Sequence, residues 1–456
     1  MVEPGRPGAG RYDSDVTSTL VRNAIILTMN DNWEIVRGAV SVRDGRIASI
    51  GDEAPAPHDR TIDAGGAFLL PGFIQTHIHL CQTLFRGYAD DRTLMQWLRA
   101  RIWPMEAAHS AASLRAATRL ACAELLRGGT TAVLTMETVH ETDAVFEAAT
   151  EAGIRATIGK CMMDNADPAA PARLREQTQR SLDESTALHR RWHGTSGGRI
   201  RAAFAPRFAV SCSRDLLEAV ASLSERELAL VHTHASEQRE EIEIVRRMTG
   251  RSNVEYLAEV GLAMPRLCAA HCVWVDERER AILGDRDVKV LHCPGSNLKL
   301  GSGIAPVPEM LAQGICVSLG ADGAACNNHL DMFGEMRLAA TLQAMRVGPG
   351  ALPARQALWM ATRNGARTLG LEHEIGSIQV GRRADLILID TDAPHLQPQP
   401  DPYSTIVYAA RAGDVRLTMV DGEILVDDSE LTRMDRGAIV AAARAEAAAL
   451  AARAGM

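Results

Sequence analysis

The sequence predicts an α/β protein: a (β/α)8 TIM barrel carrying a small β-sandwich formed by the N- and C-terminal segments. Three observations carry this expectation. Between about Gly66 and Leu369, eight short β-rich runs alternate with alanine- and leucine-rich helical segments. Strands separated by helices imply right-handed parallel units, and eight such units close a barrel. Both chain ends instead show short apolar runs broken by turns. Histidines and a carboxylate end several of the central runs, where the rim of such a barrel is built.

Residues 1–66 read as a leader and one half of the sandwich, 67–370 as the barrel, and 371–456 as the other half with a terminal helix. The leader MVEPGRPGAGRYDSD is rich in Gly, Pro and charge and lacks an apolar signal core, so it reads as frayed. From Val21 to Gly51 come the short apolar runs NAIILTMN and GAVSVRDGRIASIG, and Asp44-Gly45 within the second is a strong hairpin signal. The barrel runs are AFLLPGFIQTH, TTAVLTM, IRATIGK, RIRAAFAP, LALVHTH, RLCAAHC, DVKVLHC and ICVSLGAD. Gly376–Asp390 and Val415–Asp428 repeat the β pattern, with a second turn at Asp421-Gly422, and 436–456 reads as an alanine-rich helix.

Composition narrows the function classes. The 456 residues are 46% hydrophobic and 23% charged, an ordinary globular balance. A net charge of −8 and scattered arginines argue against nucleic acid, and no run approaches the length of a transmembrane helix. Nine cysteines form no CxxC pair, and Cys161, Cys268 and Cys316 fall in apolar stretches. They read as reduced thiols of a cytoplasmic protein.

The first barrel run ends in His77-Ile78-His79. Residues two apart on a strand share a side, so both imidazoles can meet one ion. The fifth run ends at His234, the sixth at His271 and the eighth at Asp322. Singly, each reads as a cap or a satisfied loop residue; jointly they converge on one rim. Three imidazoles and a carboxylate suit one Zn2+, with Fe2+ as the alternative, and leave a position for water. His292 and His232 lie close by without an assigned role, and His58, His189, His193, His373 and His395 read as surface residues.

The motifs PGFIQTHIHL, HTHASE, AAHC and GADGAACNN resemble the metal motifs of the amidohydrolase superfamily, and the similarity spans nearly the whole chain. The resemblance implies His77, His79, His234 and Asp322 as ligands, Glu237 as proton shuttle and His271 as the group orienting the attacking water. Chemistry supports each role. A bound divalent ion brings the pKa of water down to roughly 7. Asp322 can accept the proton, Glu237 can protonate a ring nitrogen and then the leaving amine, and His271 can steady the tetrahedral adduct. Two-metal relatives carry a lysine at the end of the fourth strand. Here Arg207 stands there, so one metal is expected.

Within the superfamily, LFRGYADD, WLRARIWPME and SNLKLGSGIAPVPEM are similar to adenosine-type nucleoside deaminases, acting on 5'-deoxyadenosine, methylthioadenosine or S-adenosylhomocysteine. That likeness implies that Glu106 holds ribose hydroxyls and that Trp97 walls the pocket; the plainer reading is an amphipathic helix packed on the barrel. THIHLCQ, GKCMMD and PRF resemble guanine deaminase instead, with Gln82, Arg207 and Phe208 reading a guanine- or pterin-type ring. Lys160, ending the third run, is the one lysine that could upset the single-metal expectation, and it reads rather as a cation on the substrate side or just behind the ligands. WHGTSGGRI and LEHEIGSIQVGRRADLIL resemble s-triazine hydrolases, where chloride or an alkylamine leaves; the retained Glu237 favours an amine. A non-catalytic assembly protein is the remaining alternative, and the complete ligand set argues against it. The resemblance alone implies a homo-oligomer and a small N-heterocyclic substrate.

Overall fold

The computed structural model describes residues 17–51, 57–165 and 167–456; the leader expected to fray lies outside them. Eight parallel strands form the barrel. They are β1 (Phe73–His79), β2 (Thr130–Met136), β3 (Arg155–Met162), β4 (Ile200–Pro206), β5 (Val231–Ala235), β6 (Leu267–His271), β7 (Lys289–His292) and β8 (Val317–Leu319). A two-residue continuation of β8, Asp322–Gly323, pairs with β1 and closes the ring. β8 therefore differs from the single run expected. It pairs with β7 through Val317–Leu319, breaks, and resumes against Ile78 and His79. Gly320 sits in the break, where a Cβ would lie 2.5 Å from the His77 carbonyl oxygen.

An apolar layer of Ile74, Leu134, Ala203, Ala270 and Leu291 precedes the polar strand ends and packs with Ala366 and Leu369. Each such side chain buried contributes roughly 1–3 kcal/mol of hydrophobic stabilisation, so this layer holds the strand ends at fixed spacing. The intervening helices begin on side-chain caps: Ser110, Ser213, Asp276 and Asp331 each accept a backbone N–H of the first turn. The C-terminal helix Arg436–Arg453 places Ala443 and Leu450 in the cluster that holds Phe85 and Trp103.

The two chain ends build one nine-stranded sheet. Phe68–Pro71 joins the N-terminal strand Ser18–Leu27 to the C-terminal strand Leu386–Ile389. The sheet rolls: Ile47 donates to the Arg382 carbonyl and Gly381 to that of Ile47, each at 2.8 Å. The expected sandwich layers are thus two sides of one curled sheet around Val21, Ile26, Val42, Leu69, Leu386 and Met419. Both Asp-Gly turns have two residues at positive φ, as the tightest hairpins require. Their tips meet, since a Cβ on Gly45 would lie 2.7 Å from the Asp421 carbonyl oxygen.

Two further expectations need correction. The first barrel run is two strands, Phe68–Pro71 in the outer sheet and β1 in the barrel. The switch falls at Gly72, where a Cβ would come within 2.1 Å of Thr131 Cγ2. His189, read as a surface residue, is buried, its ring stacked on Phe204 at 5.6 Å. The sheet and barrel are clamped by Arg155 of β3, which donates to Asp385 at 2.8 and 3.0 Å and to Asp421 at 2.6 Å.

Candidate metal centre and its pocket

The strand ends bring together His77 and His79 from β1, His234 from β5, His271 from β6 and Asp322 from the β8 continuation. His271 and Asp322 lie at φ 72° and 62°, left-handed positions that turn their side chains inward at the ends of paired strands. Each imidazole is tethered through Nδ1. His79 donates to the Met136 carbonyl at 2.7 Å and His234 to the Arg207 carbonyl at 2.7 Å. His271 Nδ1 meets Asn297 Oδ1 at 2.9 Å, and His77 Nδ1 meets His232 Nε2 at 2.7 Å. The Nε2 atoms therefore face one another across the site.

Asp322 Oδ1 lies 3.3 Å from His77 Nε2 and 3.2 Å from His79 Nε2. Its Oδ2 accepts from Ser296 Oγ at 2.6 Å. The ligand atoms of His77, His79 and Asp322 lie within 4.8 Å of one another, as do those of His77, His234 and His271. His77 Nε2 and His271 Nε2 are buried without a hydrogen-bond partner. Orphaned nitrogens converging on a carboxylate are what a divalent cation satisfies, so these residues fit a metal. Burial pushes the His77 imidazole down to about 4 and that of His234 well below its ordinary value. Burial would raise Asp322, but His77 and His79 outweigh it and hold the carboxylate well below the usual range. His77 and His234, neutral beside an ionised carboxylate, are in the protonation states of metal ligands, while at His79 burial is outweighed by the hydrogen bond and charge of Asp322, which raise the imidazole.

A narrow cavity opens over this cluster. Glu237 lines it, with Oε2 3.6 Å from His271 Nε2 and Oε1 accepting from Ser302 Oγ at 3.3 Å. Burial pushes the Glu237 carboxyl up to about 7, against the pull of His271. Leu94, Trp97, Leu98, Phe208 and Leu300 give the cavity apolar walls, and Gln82 and Arg207 give it polar ones. Trp97 and Glu106 come from residues 94–108, two helical segments joined by a π turn, which are buried on several faces as the packed-helix reading expected.

Glu106 sits behind Arg207. Arg207 Nη1 donates to Glu106 Oε2 at 2.6 Å and Nη2 to Oε1 at 3.2 Å, while Gln82 Nε2 donates to Oε1 at 3.1 Å. The expected substrate-side placement of Lys160 is corrected. Its ammonium pairs with Glu176 and lies 3.8 Å from Glu184, lining a separate cleft beside His140 and Arg173. The strand runs on to Met162, and alternation turns the neighbouring Cys161 toward Arg207 while Lys160 faces away.

Sequence reasoning missed several contributors. Ser296, Asn297 and Ser302 lie within the motif SNLKLGSGIAPVPEM yet received no roles, and their contacts to Asp322, His271 and Glu237 are above. Glu137, immediately after β2, accepts from the backbone N–H of Leu80 at 3.1 Å and Cys81 at 2.9 Å, pinning the turn after His79. Its position at a strand end was the available signal.

A parallel barrel with a rim of imidazoles, a carboxylate and a buried acid defines a metal-dependent hydrolase. The chain belongs to the amidohydrolase family, whose model matches residues 68–425. It is 42% identical to the 5'-deoxyadenosine deaminase of Methanothermobacter thermautotrophicus over 96% of this chain and 99% of that protein. It is also 42% identical to a 5-methylthioadenosine/S-adenosylhomocysteine deaminase of Syntrophobacter fumaroxidans, over 91% and 94% of the two chains. The crystal structure of an adenosine deaminase from Xanthomonas campestris with bound zinc superposes with a TM-score of 0.89 at 33% identity, over 95% and 98%. The protein is accordingly a metal-dependent hydrolase of carbon–nitrogen bonds, of the deaminase type, acting on a small N-heterocycle.

Proposed function

We propose that the protein deaminates an adenosine-type nucleoside, in the class of 5'-deoxyadenosine, methylthioadenosine or S-adenosylhomocysteine, using zinc. The observation that carries this reading is the buried Glu237 carboxyl in the cavity, 3.6 Å from His271 and next to the ligand cluster. A divalent ion held by His77, His79, His234 and Asp322 supplies, when bound, a water ionisable near neutrality. Asp322 accepts a proton from the attacking water, and Ser296 fixes the carboxylate that takes it. His271, with its hydrogen held on Nδ1 by Asn297, accepts a hydrogen of the attacking water at its free Nε2 and so orients it. Glu237 delivers its proton to the ring nitrogen beside the amino-bearing carbon. As the carbon–nitrogen bond breaks, the proton that Asp322 took from water goes to the amine, which leaves as ammonia, and the remaining hydroxyl proton returns to Glu237 as the ring carbonyl forms.

Arg207 favours a second reading, a guanine- or pterin-type ring. Its guanidinium lines the cavity and, with Gln82, occupies both oxygens of the carboxylate that would otherwise take ribose hydroxyls. Ammonia release by the zinc-loaded protein from 5'-deoxyadenosine, methylthioadenosine, S-adenosylhomocysteine, guanine and a pterin separates the two. Turnover confined to the nucleosides supports the first reading, and turnover confined to the oxo-bearing rings replaces it with the second. Metal analysis of protein purified without added metal distinguishes zinc from iron. We also infer a cytoplasmic protein, since all nine cysteines are buried free thiols, as a reducing compartment permits, and a homo-oligomer from the family likeness alone. Light scattering of the full chain tests the assembly.

A further inference from the structure

The four imidazoles around the candidate metal centre are not tethered alike. For His79 and His234 the partner of Nδ1 is a backbone carbonyl. A carbonyl only accepts, so the hydrogen must sit on Nδ1 and the Nε2 lone pair must face inward. His271 leans on Asn297 Oδ1, another acceptor. His77 is the exception, because its Nδ1 meets the Nε2 of a fifth imidazole, His232, at 2.7 Å with the rings perpendicular.

Two neutral imidazoles sharing one hydrogen bond have two arrangements. Either His77 donates from Nδ1 and presents a bare Nε2, or His232 donates and His77 carries its hydrogen on Nε2, facing Asp322 Oδ1 3.3 Å away. Only the first arrangement leaves His77 able to bind a cation. His232 therefore decides whether the most enclosed ligand is in a ligating tautomer. Its placement is strict: it precedes His234 by two residues on β5, faces the same interior and is fully buried. No carbonyl or carboxylate hydrogen-bonds to His77 Nδ1 among the described residues, so nothing else performs this task.

We propose that His232 is a positioning residue for the metal. It accepts the hydrogen of His77 Nδ1, fixing the tautomer and ring orientation of that ligand without touching metal or substrate. Partners of this kind commonly account for about 10–100-fold in metal affinity. The inference rests on the metal-centre reading above, and its test separates the two.

The test compares wild type, His232→Gln and His232→Leu as metal-free full-length proteins. Zinc affinity is read by competition with a chromogenic chelator, and the thermal midpoint of each metal-free form is recorded. Glutamine can offer an oxygen acceptor to the same donor, whereas leucine offers none. The expected result is a loss of affinity of at least tenfold in His232→Leu and near-wild-type affinity in His232→Gln, with the metal-free midpoint of His232→Gln close to that of wild type. Wild-type affinity in a folded His232→Leu protein overturns the proposal; failure of wild type itself to bind zinc overturns the metal-centre reading instead. Nitrogen–proton correlation spectra of the metal-free, 15N-histidine-labelled wild type decide the question even where His232→Leu does not fold. A hydrogen on His77 Nδ1 and none on His232 Nε2 supports the proposal, and the reverse assignment refutes it.

Discussion

Arg207 and Glu106, 101 residues apart in the chain, form a two-pronged ion pair whose side chains are only 5% and 2% exposed. Breaking such a pair from one side strands the other charge in a low-dielectric interior, which costs about 3–5 kcal/mol. Arg207→Met is expected to lower unfolding free energy by that order, and the double variant Arg207→Met/Glu106→Gln to recover at least half of the loss. Denaturant midpoints of the three proteins check this. Equal destabilisation in the single and double variants would show that lost packing dominates over the stranded charge.

Glu237 sets the pH response. Burial raises its carboxyl to about 7, so the proton it donates is present below that value and absent above it. Turnover is expected to decline as pH rises through about 7, a limb that Glu237→Gln removes along with most of the activity. The same carboxyl contributes stability that is full below its unfolded value near 4.5 and lost as pH rises through about 7. A metal-free Glu237→Gln variant should therefore show a flatter midpoint between those pH values than wild type.

Removing the metal tests the ligand set. The ion binds only the folded chain, so at a free concentration a thousand times the dissociation constant it stabilises by about 4 kcal/mol. Dialysis against a chelator is expected to lower the thermal midpoint and abolish turnover, and zinc is expected to restore both. His234→Asn should show little midpoint response to zinc. A midpoint indifferent to metal in wild type would disprove the assignment.

The clamp between barrel and outer sheet is also open to test. Arg155→Met leaves Asp385 without its guanidinium partner, whereas Asp421 retains Arg199 and Arg383, each at 2.9 Å. The expected cost is about 3 kcal/mol. Hydrogen exchange should quicken in Leu386–Ile389 and its neighbour Val415–Val420 while zinc content stays unchanged. Unaltered exchange there would show that the apolar core alone joins the two parts.

Patterning makes the barrel legible because each strand end repeats one signal, an apolar run followed by a polar residue. That signal has no resolution for breaks inside a run. The switch at Gly72 and the gap at Gly320 are both set by close approach to another strand, which neighbouring residues do not encode. The rim histidines and Asp322 are readable from position along their runs. Lys160 is misplaced in the sequence pattern because the apolar run ends one residue before alternation turns inward. Glu106 carries a motif but its partner Arg207 is distant in sequence, so the ion pair occupying its oxygens is invisible there. His232 is visible as a rim histidine, while its contact with His77 requires β1 and β5 to be placed across the barrel.

The most direct test of the central claim is ammonia release by wild type and Glu237→Gln at matched, stoichiometric zinc, with the best substrate of the panel. A buried acid that carries the proton to the ring predicts a loss of about 100-fold or more in the variant with metal content intact. Undiminished ammonia release by zinc-loaded Glu237→Gln would contradict it.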